Sequence, residues 1–280
     1  YDKRTLVKKN TDRRLIKTDY FRLFRFYLVM NWLYDAHIHL SDLEYEDDIT
    51  RILNSMKKIH IKACCVSMDY TSSKKTLELG KKSNLVFPFI GVHPEKAQDN
   101  VQPAFELINK NKEIISGIGE IGLDPTYSNS DEELSKQEQV FRAQLSYAEK
   151  FKKPVSIHSR KSLTEILKIL PSYNVPGILL HWFDGNKKQL KKAMDLEYYV
   201  SFGPVMTYSK DKQVLLSKAD KNRILVETDG PVRYSRCFDN KIAQIDFIPS
   251  VVFCASKVLH MNYDDLCNVL EQNSKQFLML

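Results

Sequence analysis

The sequence predicts a (β/α)8 TIM barrel, and three observations favour this fold class. Eight short apolar segments alternate with segments of helical period. The chain has 280 residues, of which 43% are hydrophobic and 28% charged, and this composition excludes a disordered or fibrous protein. Histidine and carboxylate side chains also recur where the apolar segments end. A doubly wound open sheet is the structural alternative.

Eight apolar segments are the candidate strands. Each is short, nearly continuous in its hydrophobicity and bounded by Gly, Pro, Ser or Asp, as is typical of parallel strands buried on both faces. The segments comprise residues 32–38, 61–68, 86–92, 114–121, 154–157, 177–181, 198–202 and 224–227.

The segments between the candidate strands show helical periodicity. Ile49, Ile52 and Met56 would share one face of a helix, with acidic residues before it and lysines after it, as the helix dipole favours. Similar spacing recurs over 140–148 and 163–170, and two further helices are predicted at 247–260 and 263–278. Because no linker, low-complexity tract or internal repeat interrupts this pattern, we expect residues 30–280 to form one domain.

Residues 1–29 differ in charge from the rest of the chain. They contain nine Lys and Arg and three Asp, a net charge of +6, so residues 30–280 carry only +1 of the total of +7. This distribution disfavours a protein that wraps nucleic acid through a broad basic surface. We interpret residues 1–29 as a basic extension not native to the barrel, with Met30 as the natural start. The alternatives are an arm that binds a phosphate backbone and a segment that packs on the barrel.

The cysteines indicate a reducing compartment. Their number is five, none lies in a CxxC pair, and Cys64 and Cys65 fall in an apolar run, where buried thiols are expected. We therefore predict a cytoplasmic protein. No apolar stretch reaches the ~18 residues of a membrane span. For the oligomeric state, we favour a monomer.

Candidate metal ligands lie at the ends of five predicted strands. In the first strand, a spacing of two places His37 and His39 on the same side, so that both can reach one metal ion at the mouth of the barrel. Catalytic residues of this fold gather at the carboxyl ends of the strands. The further candidates at these ends are Glu120, His158, His181 and Asp229.

Four imidazoles and two carboxylates are more ligands than one divalent ion takes. They suit two ions about 3.5–4 Å apart, with Glu120, from the strand between the two histidine sets, as the bridge. Such a pair supplies hydroxide at neutral pH and neutralises charge on a phosphoryl oxygen. Asp229 would bind one ion and accept the proton of the bridging water. Mg, Mn and Zn all suit this set of ligands.

Several other residues are candidates for contact with substrate. His93, at the end of the third strand, is interpreted as a phosphate contact or as support for the ligands. Arg160 follows His158 and could hold a phosphate oxygen, with a surface ion pair as the alternative. The loop 230–240 carries Arg233 and Tyr234, which suit a nucleotide strand, although an ordinary solvated loop is the alternative. His60 and His260 are predicted to be structural.

These motifs resemble those of the TatD-related metal-dependent hydrolases, which are amidohydrolase-like barrels. The resemblance covers residues 33–280 and rests on Asp-Ala-His-Ile-His-Leu, Gly-Val-His-Pro, Gly-Glu-Ile-Gly-Leu-Asp, Pro-Val-Ser-Ile-His-Ser-Arg, His-Trp-Phe-Asp-Gly and Glu-Thr-Asp-Gly-Pro, in the family's order. Two positions depart from the family pattern. Gly230 stands where Ser or Ala is frequent and Pro125 where an aromatic residue is usual, so the substrate pocket could differ.

The resemblance implies divalent-metal-dependent hydrolysis of nucleic-acid phosphodiesters, typically by a DNase and often with 3′-exonuclease character. It also implies a role near the scissile phosphate for His93 and ligand roles for His37, His39, Glu120, His158, His181 and Asp229. We therefore expect a deoxyribonuclease that uses two divalent ions on single-stranded or frayed DNA ends.

Two other functions stay open at this point. One is hydrolysis of another ester or amide, such as an aminoacyl-tRNA ester, a phosphotriester or an amidohydrolase substrate. Many such barrels carry a carboxylated Lys at the fourth strand, where this chain has Glu120. The other is a non-catalytic barrel that binds nucleic acid, which the intact set of ligands disfavours.

Overall fold

A computed structural model of the protein describes residues 31–280, in which eight parallel strands form one sheet in chain order. The strands are β1 (Leu33–Ile38), β2 (Ile61–Cys65), β3 (Val86–Ile90), β4 (Gly117–Gly122), β5 (Val155–His158), β6 (Ile178–Leu180), β7 (Tyr199–Phe202) and β8 (Ile224–Val226). All eight candidate strands are thus confirmed. The sequential order is that of a (β/α)8 barrel and excludes the doubly wound sheet, whose strand order reverses at a switch point. The predicted extension over 1–29 lies outside the described residues.

Helices follow the strands and cover the outside of the barrel. They are α1 (Ile49–Lys58), α2 (Tyr70–Lys82), α3 (Gln102–Lys110), α4 (Asp131–Phe151), α5 (Leu163–Ile169), α6 (Lys187–Asp195), α7 (Lys210–Leu216), α8 (Ile248–Val258) and α9 (Tyr263–Leu278). A short antiparallel pair, β9 (Arg233–Tyr234) and β10 (Lys241–Ile242), follows β8. Within residues 31–280, no helix has the length and apolar character needed to cross a bilayer.

Apolar side chains fill the amino-terminal end of the barrel. Tyr34, Phe89 and Tyr199 belong to one buried cluster, and Phe277 of α9 enters it from below. The ring centroid of Phe277 lies 5.9 Å from that of Phe89 and 5.6 Å from that of Tyr199. Cys64 is part of this interior cluster, and it is buried as predicted. With its lower end packed, the barrel leaves only its carboxyl-terminal end for polar side chains.

Backbone hydrogen bonds close the barrel between β1 and the segment after β8. The amide of Asp229 donates to the carbonyl of His37 at 2.9 Å, and the amide of His39 donates to the carbonyl of Gly230 at 2.8 Å. The buried carboxylate of Asp35 accepts the amide of Thr228 at 3.0 Å and also its hydroxyl. The two ends of the sheet are therefore joined at the mouth, where the candidate ligands lie.

Candidate metal centre

The carboxylate of Glu120 lies at the centre of the mouth and separates four histidines into two pairs. Its Oε2 lies 3.4 Å from Nε2 of His37 and 3.3 Å from Nε2 of His39. Its Oε1 lies 2.7 Å from Nδ1 of His158 and 2.8 Å from Nε2 of His181. The side chain is only 4% exposed. The carboxyl ends of β1, β5 and β6 therefore bring four imidazoles to the two oxygens of a carboxylate that β4 provides.

Asp229 lies beside the first histidine pair. Its Oδ1 is 3.6 Å from Nε2 of both His37 and His39. Burial alone would raise the pKa of Asp229, but its hydrogen bond with His39 and the neighbouring imidazoles outweigh burial and lower it. Burial likewise opposes ionisation of Glu120, yet the surrounding histidines hold its pKa well below the usual range. Both carboxyl groups are therefore carboxylates at neutral pH.

The same contacts act on two of the histidines. Burial lowers the pKa of His39, but hydrogen bonds with Asp229 and Glu120 outweigh it and raise the pKa to about 10. For His158, hydrogen bonds with Asp124 and Glu120 similarly outweigh burial and raise the pKa to about 9. A divalent ion would therefore have to displace protons from these imidazoles, because a ligand histidine is neutral.

His93 contributes a fifth imidazole to the mouth. Its Nδ1 accepts the backbone amide of Glu95 at 3.1 Å, so in the neutral ring the proton sits on Nε2. That Nε2 points at Oε1 of Glu120 from 3.5 Å. Burial lowers the pKa of His93, which favours the neutral form. His93 thus presents an N–H group to the site, as a hydrogen-bond donor would.

Two buried carboxylates support the site, and sequence reasoning did not single them out. Glu227 accepts the amide of Trp182 at 2.7 Å and the hydroxyl of Ser201, and its Oε2 lies 3.8 Å from Nδ1 of His181. Burial raises the pKa of Glu227 to about 7. Asp124 accepts from Nε2 of His158 at 2.8 Å. Asp124 lies three residues after the candidate strand 114–121, so a search that extended a few residues beyond each strand could also have found it.

The residues predicted to touch substrate differ in their positions. Arg160 lines the cavity at the mouth, but its Nε donates to Asp124 at 2.7 Å and its Nη2 to Oγ1 of Thr126 at 2.6 Å. The ion-pair alternative for Arg160 is therefore what the structure contains. Arg233 pairs with Glu44 at 3.3 Å on the exposed loop.

Tyr234 requires a correction. Its side chain is 2% exposed, its hydroxyl donates to the carbonyl of Thr228 at 2.8 Å, and its ring stacks on Trp182 with centroids 5.6 Å apart. The β9–β10 pairing turns the ring inward, so Tyr234 supports the wall of the mouth and is not available as a direct contact to substrate. His60 stacks on Trp32, 4.9 Å away, at the opposite end of the barrel, and His260 follows α8.

A cavity of about 360 Å³ opens above these side chains. Its walls include Tyr127 and Trp182, and its floor includes His93, Glu120 and Asp229. Three groups of residues could hold a metal ion, because within each group the ligand atoms lie within 4.8 Å of one another. The groups are His37 with His39 and Glu120, His93 with Glu120 and His158, and His37 with His181 and Glu227. Imidazole nitrogens and carboxylate oxygens together suit divalent ions such as Zn and Mn. The donor set therefore fits the predicted metal centre.

Comparison with known proteins agrees with this architecture. A family model described as TatD related DNase matches residues 34–279. The chain is 29% identical to human "Deoxyribonuclease TATDN3" over 71% of this chain and 78% of that protein. It is 31% identical to "Uncharacterized metal-dependent hydrolase BU355" of Buchnera aphidicola over 71% of this chain and 81% of that protein. The solved structure of the TatD homologue YJJV from Escherichia coli superposes with a TM-score of 0.81 at 19% identity, covering 89% of this chain and 98% of that one.

Proposed function

This chain belongs to the TatD related DNase family, and from that premise we propose that it is a metal-dependent deoxyribonuclease. It would hydrolyse phosphodiester bonds at single-stranded or frayed DNA ends, starting from the 3′ end. One observation carries the proposal. Glu120 directs Oε2 to His37 and His39 and Oε1 to His158 and His181. One pair of imidazole nitrogens faces each oxygen of this carboxylate, so Glu120 would be able to bridge two ions.

We assign six residues as ligands. His37, His39 and Asp229 would hold one ion with Oε2 of Glu120, whereas His158 and His181 would hold the other with Oε1. When bound, divalent ions of the Mg, Mn or Zn type lower the pKa of water and neutralise charge on a phosphoryl oxygen. The protein contributes fixed ligand positions, since every one of these side chains is buried or nearly so.

Asp229 and His93 have complementary roles in the proposal. Asp229 is ionised at neutral pH because the imidazoles around it lower its pKa, so it can accept a proton from the attacking water. His93 presents the Nε2–H group and can donate to a phosphate oxygen, which would help to hold the scissile group. Arg160 stands at the edge of the same cavity and adds positive charge near the incoming phosphates.

The shape of the cavity favours an unpaired nucleotide. Tyr127 is 38% exposed and faces the opening, and Trp182 lies in the same cavity lining. Aromatic faces bind single-stranded bases by stacking without reading their sequence. The small net charge of residues 30–280 disfavours extensive duplex wrapping. A short or frayed end therefore suits this mouth better than a duplex.

The proposal is tested with metal-stripped protein and a single-stranded oligonucleotide labelled at its 5′ end. Mg, Mn or Zn is added separately, and Glu120→Gln is compared with Glu46→Gln, which removes an exposed carboxylate. We expect a metal-restored ladder of progressively shorter labelled products, as 3′ attack requires. We expect Glu120→Gln to lose about a thousandfold in rate, since several kcal/mol of transition-state stabilisation depend on the ions. Glu46→Gln should retain the wild-type rate.

Two results would contradict the proposal. Cleavage that persists without metal would exclude the metal-dependent mechanism. Metal binding without cleavage of any oligonucleotide would exclude the DNase assignment. It would direct attention to the other ester substrates, beginning with aminoacyl-tRNA esters.

A further inference from the structure

His158 presents a different ring nitrogen to the site from the other histidines. His37, His39, His93 and His181 all turn Nε2 toward Glu120, at 3.3 to 3.5 Å for the first three and 2.8 Å for the last. His158 turns Nδ1 toward Oε1 of Glu120, at 2.7 Å. Because Nδ1 is bonded to the ring carbon that carries Cβ, this ring would approach a bound ion with its backbone closer than the other histidines do.

The opposite nitrogen of His158 is held by Asp124. Oδ2 of Asp124 lies 2.8 Å from Nε2 of His158 and accepts Nε of Arg160 at 2.7 Å. Oδ1 accepts the backbone amide of Thr126 at 2.9 Å and its hydroxyl at 2.6 Å. With donors on both oxygens, Asp124 acts as an acceptor. Nε2 of His158 must therefore carry the proton.

The position of Asp124 is itself fixed by α4. The amide of Asp124 donates to Oε1 of Gln137, and Nε2 of Gln137 donates to the carbonyl of Asp124, both at 3.0 Å. Asp124 is fully buried and Gln137 is 1% exposed. The carboxylate is therefore held in place, and its hydrogen bond to Nε2 favours one orientation of the His158 ring.

We propose that Asp124 is a positioning residue that fixes the Nε2–H tautomer of His158, so that Nδ1 is the only nitrogen of this ring available to a metal ion. The inference rests on the metal centre of the proposed function. Carboxylates that hold the far nitrogen of a ligand histidine set its tautomer and orientation, and their loss typically costs about 10–100-fold in metal affinity. Arg160 would then help to hold the Asp124 carboxylate in place through its hydrogen bond to Oδ2, in addition to any contact with substrate.

The direct test is the tautomer of His158, measured by two-bond 1H–15N correlation NMR on 15N-histidine-labelled, zinc-loaded protein. The resonances of His158 are assigned by their loss in His158→Gln. We expect a proton on Nε2 and a zinc-shifted Nδ1 for His158. A proton on Nδ1 with zinc on Nε2 would overturn the proposal. The wild-type spectrum decides this point even if variants at Asp124 fail to fold.

The second test is zinc affinity, measured by competition with a chromophoric chelator. Asp124→Asn keeps the shape of the side chain but replaces one acceptor oxygen by an NH2 group. That group would face a hydrogen-bond donor of a neighbouring residue in place of the acceptor that Asp124 provides. We expect the variant to weaken zinc binding by about 10–100-fold and to change the tautomer pattern of His158. Asp184→Asn, which removes an exposed carboxylate from the same rim, should leave both unchanged.

Unchanged affinity and an unchanged spectrum in folded Asp124→Asn would refute the role of Asp124. Neither readout involves DNA. A protein that binds zinc in this way but cleaves no oligonucleotide would count against the proposed function and leave the assignment of Asp124 standing.

Discussion

The imidazole ring of His37 lies flat against that of His181, with centroids 3.7 Å apart and planes inclined by only 9°. Strands β1 and β6, which are not neighbours in the sheet, thus place two rings in contact across the barrel interior. The Nδ1 of His37 bonds to the hydroxyl of Ser156 at 2.8 Å, which fixes the ring from behind. Burial and the neighbouring His181 lower the pKa of His37 to about 4, so this ring is neutral at physiological pH, as a metal-binding histidine must be.

Metal binding should therefore stabilise the fold. At an ion concentration 100 times the dissociation constant we expect about 2.7 kcal/mol of added stability by mass action. Thermal unfolding of metal-stripped protein with and without added Mn or Zn measures the gain. Glu120→Gln should abolish most of it, whereas an equal gain in that variant would show that the ions bind elsewhere.

Metal-stripped protein should lose stability as the pH rises above neutrality. The folded-state pKa values of His39, about 10, and His158, about 9, lie above the ordinary histidine value of 6.5. Their stabilising contribution is complete below pH 6.5 and is lost as the pH rises through 9 and 10. Urea unfolding at pH 6.5, 8 and 9.5 tests this slope. His39→Gln should flatten it, and greater stability at pH 9.5 than at 6.5 would contradict the interpretation.

Tyr127→Ala should weaken binding of single-stranded substrate. Loss of one stacking face costs about 1–3 kcal/mol per base, which corresponds to a roughly 5- to 150-fold rise in KM with a smaller change in kcat. Steady-state kinetics on a short oligonucleotide measures both constants. Tyr127→Phe retains the ring and should behave as wild type; equal defects in the two variants would assign the effect to the hydroxyl.

Tyr234→Phe should affect stability and leave KM unchanged. The variant removes the hydrogen bond to the Thr228 carbonyl, and an unpaired buried acceptor costs about 1–3 kcal/mol. The buried ring does not reach the cavity, so substrate binding has no direct reason to change. Urea unfolding and KM are measured on the same preparation. A large rise in KM with unaltered stability would restore Tyr234 as a substrate contact.

Gly230 and Tyr45 should be energetically coupled. A Cβ at position 230 would overlap the Tyr45 hydroxyl, which donates to the carbonyl of Ala243. Gly230→Ala should therefore cost about 1–3 kcal/mol from overpacking. Tyr45→Phe removes the hydroxyl, so the double variant should be more stable than the sum of the single effects predicts. Simple additivity would show that the two side chains do not compete for this space. The coupling gives a steric reason for Gly at a position where the family often has Ser or Ala.

Much of the fold follows from the sequence, since strands buried on both faces are continuous apolar segments. The segment 114–121 shows the limit of this approach. The strand in this segment begins only at Gly117. Ile114 lies in the turn before it and is 48% exposed. An isolated isoleucine carries the same local signal whether it lies in a turn or in a strand.

The candidate ligands were predictable because they lie near the carboxyl ends of strands that all end at one rim. The structure brings all six, and His93, to that rim. Tyr234 was not predictable, since the direction of a loop side chain depends on the pairing of β9 with β10. The role of Glu227 was hidden for another reason. Its partner Trp182 lies after β6 and its partner Ser201 lies in β7, and sequence spacing does not encode such contacts.

Phe277 and the apolar cluster around it block the axis of the barrel at its lower end. A nucleic acid strand therefore could not thread through the barrel, and under the proposed function a released nucleotide would leave by the opening through which the polymer enters. Product and shortened polymer would compete for one exit, so each catalytic cycle would end with the polymer dissociating. If the proposed activity at 3′ ends holds, we expect distributive trimming, in which many ends are each shortened by a little.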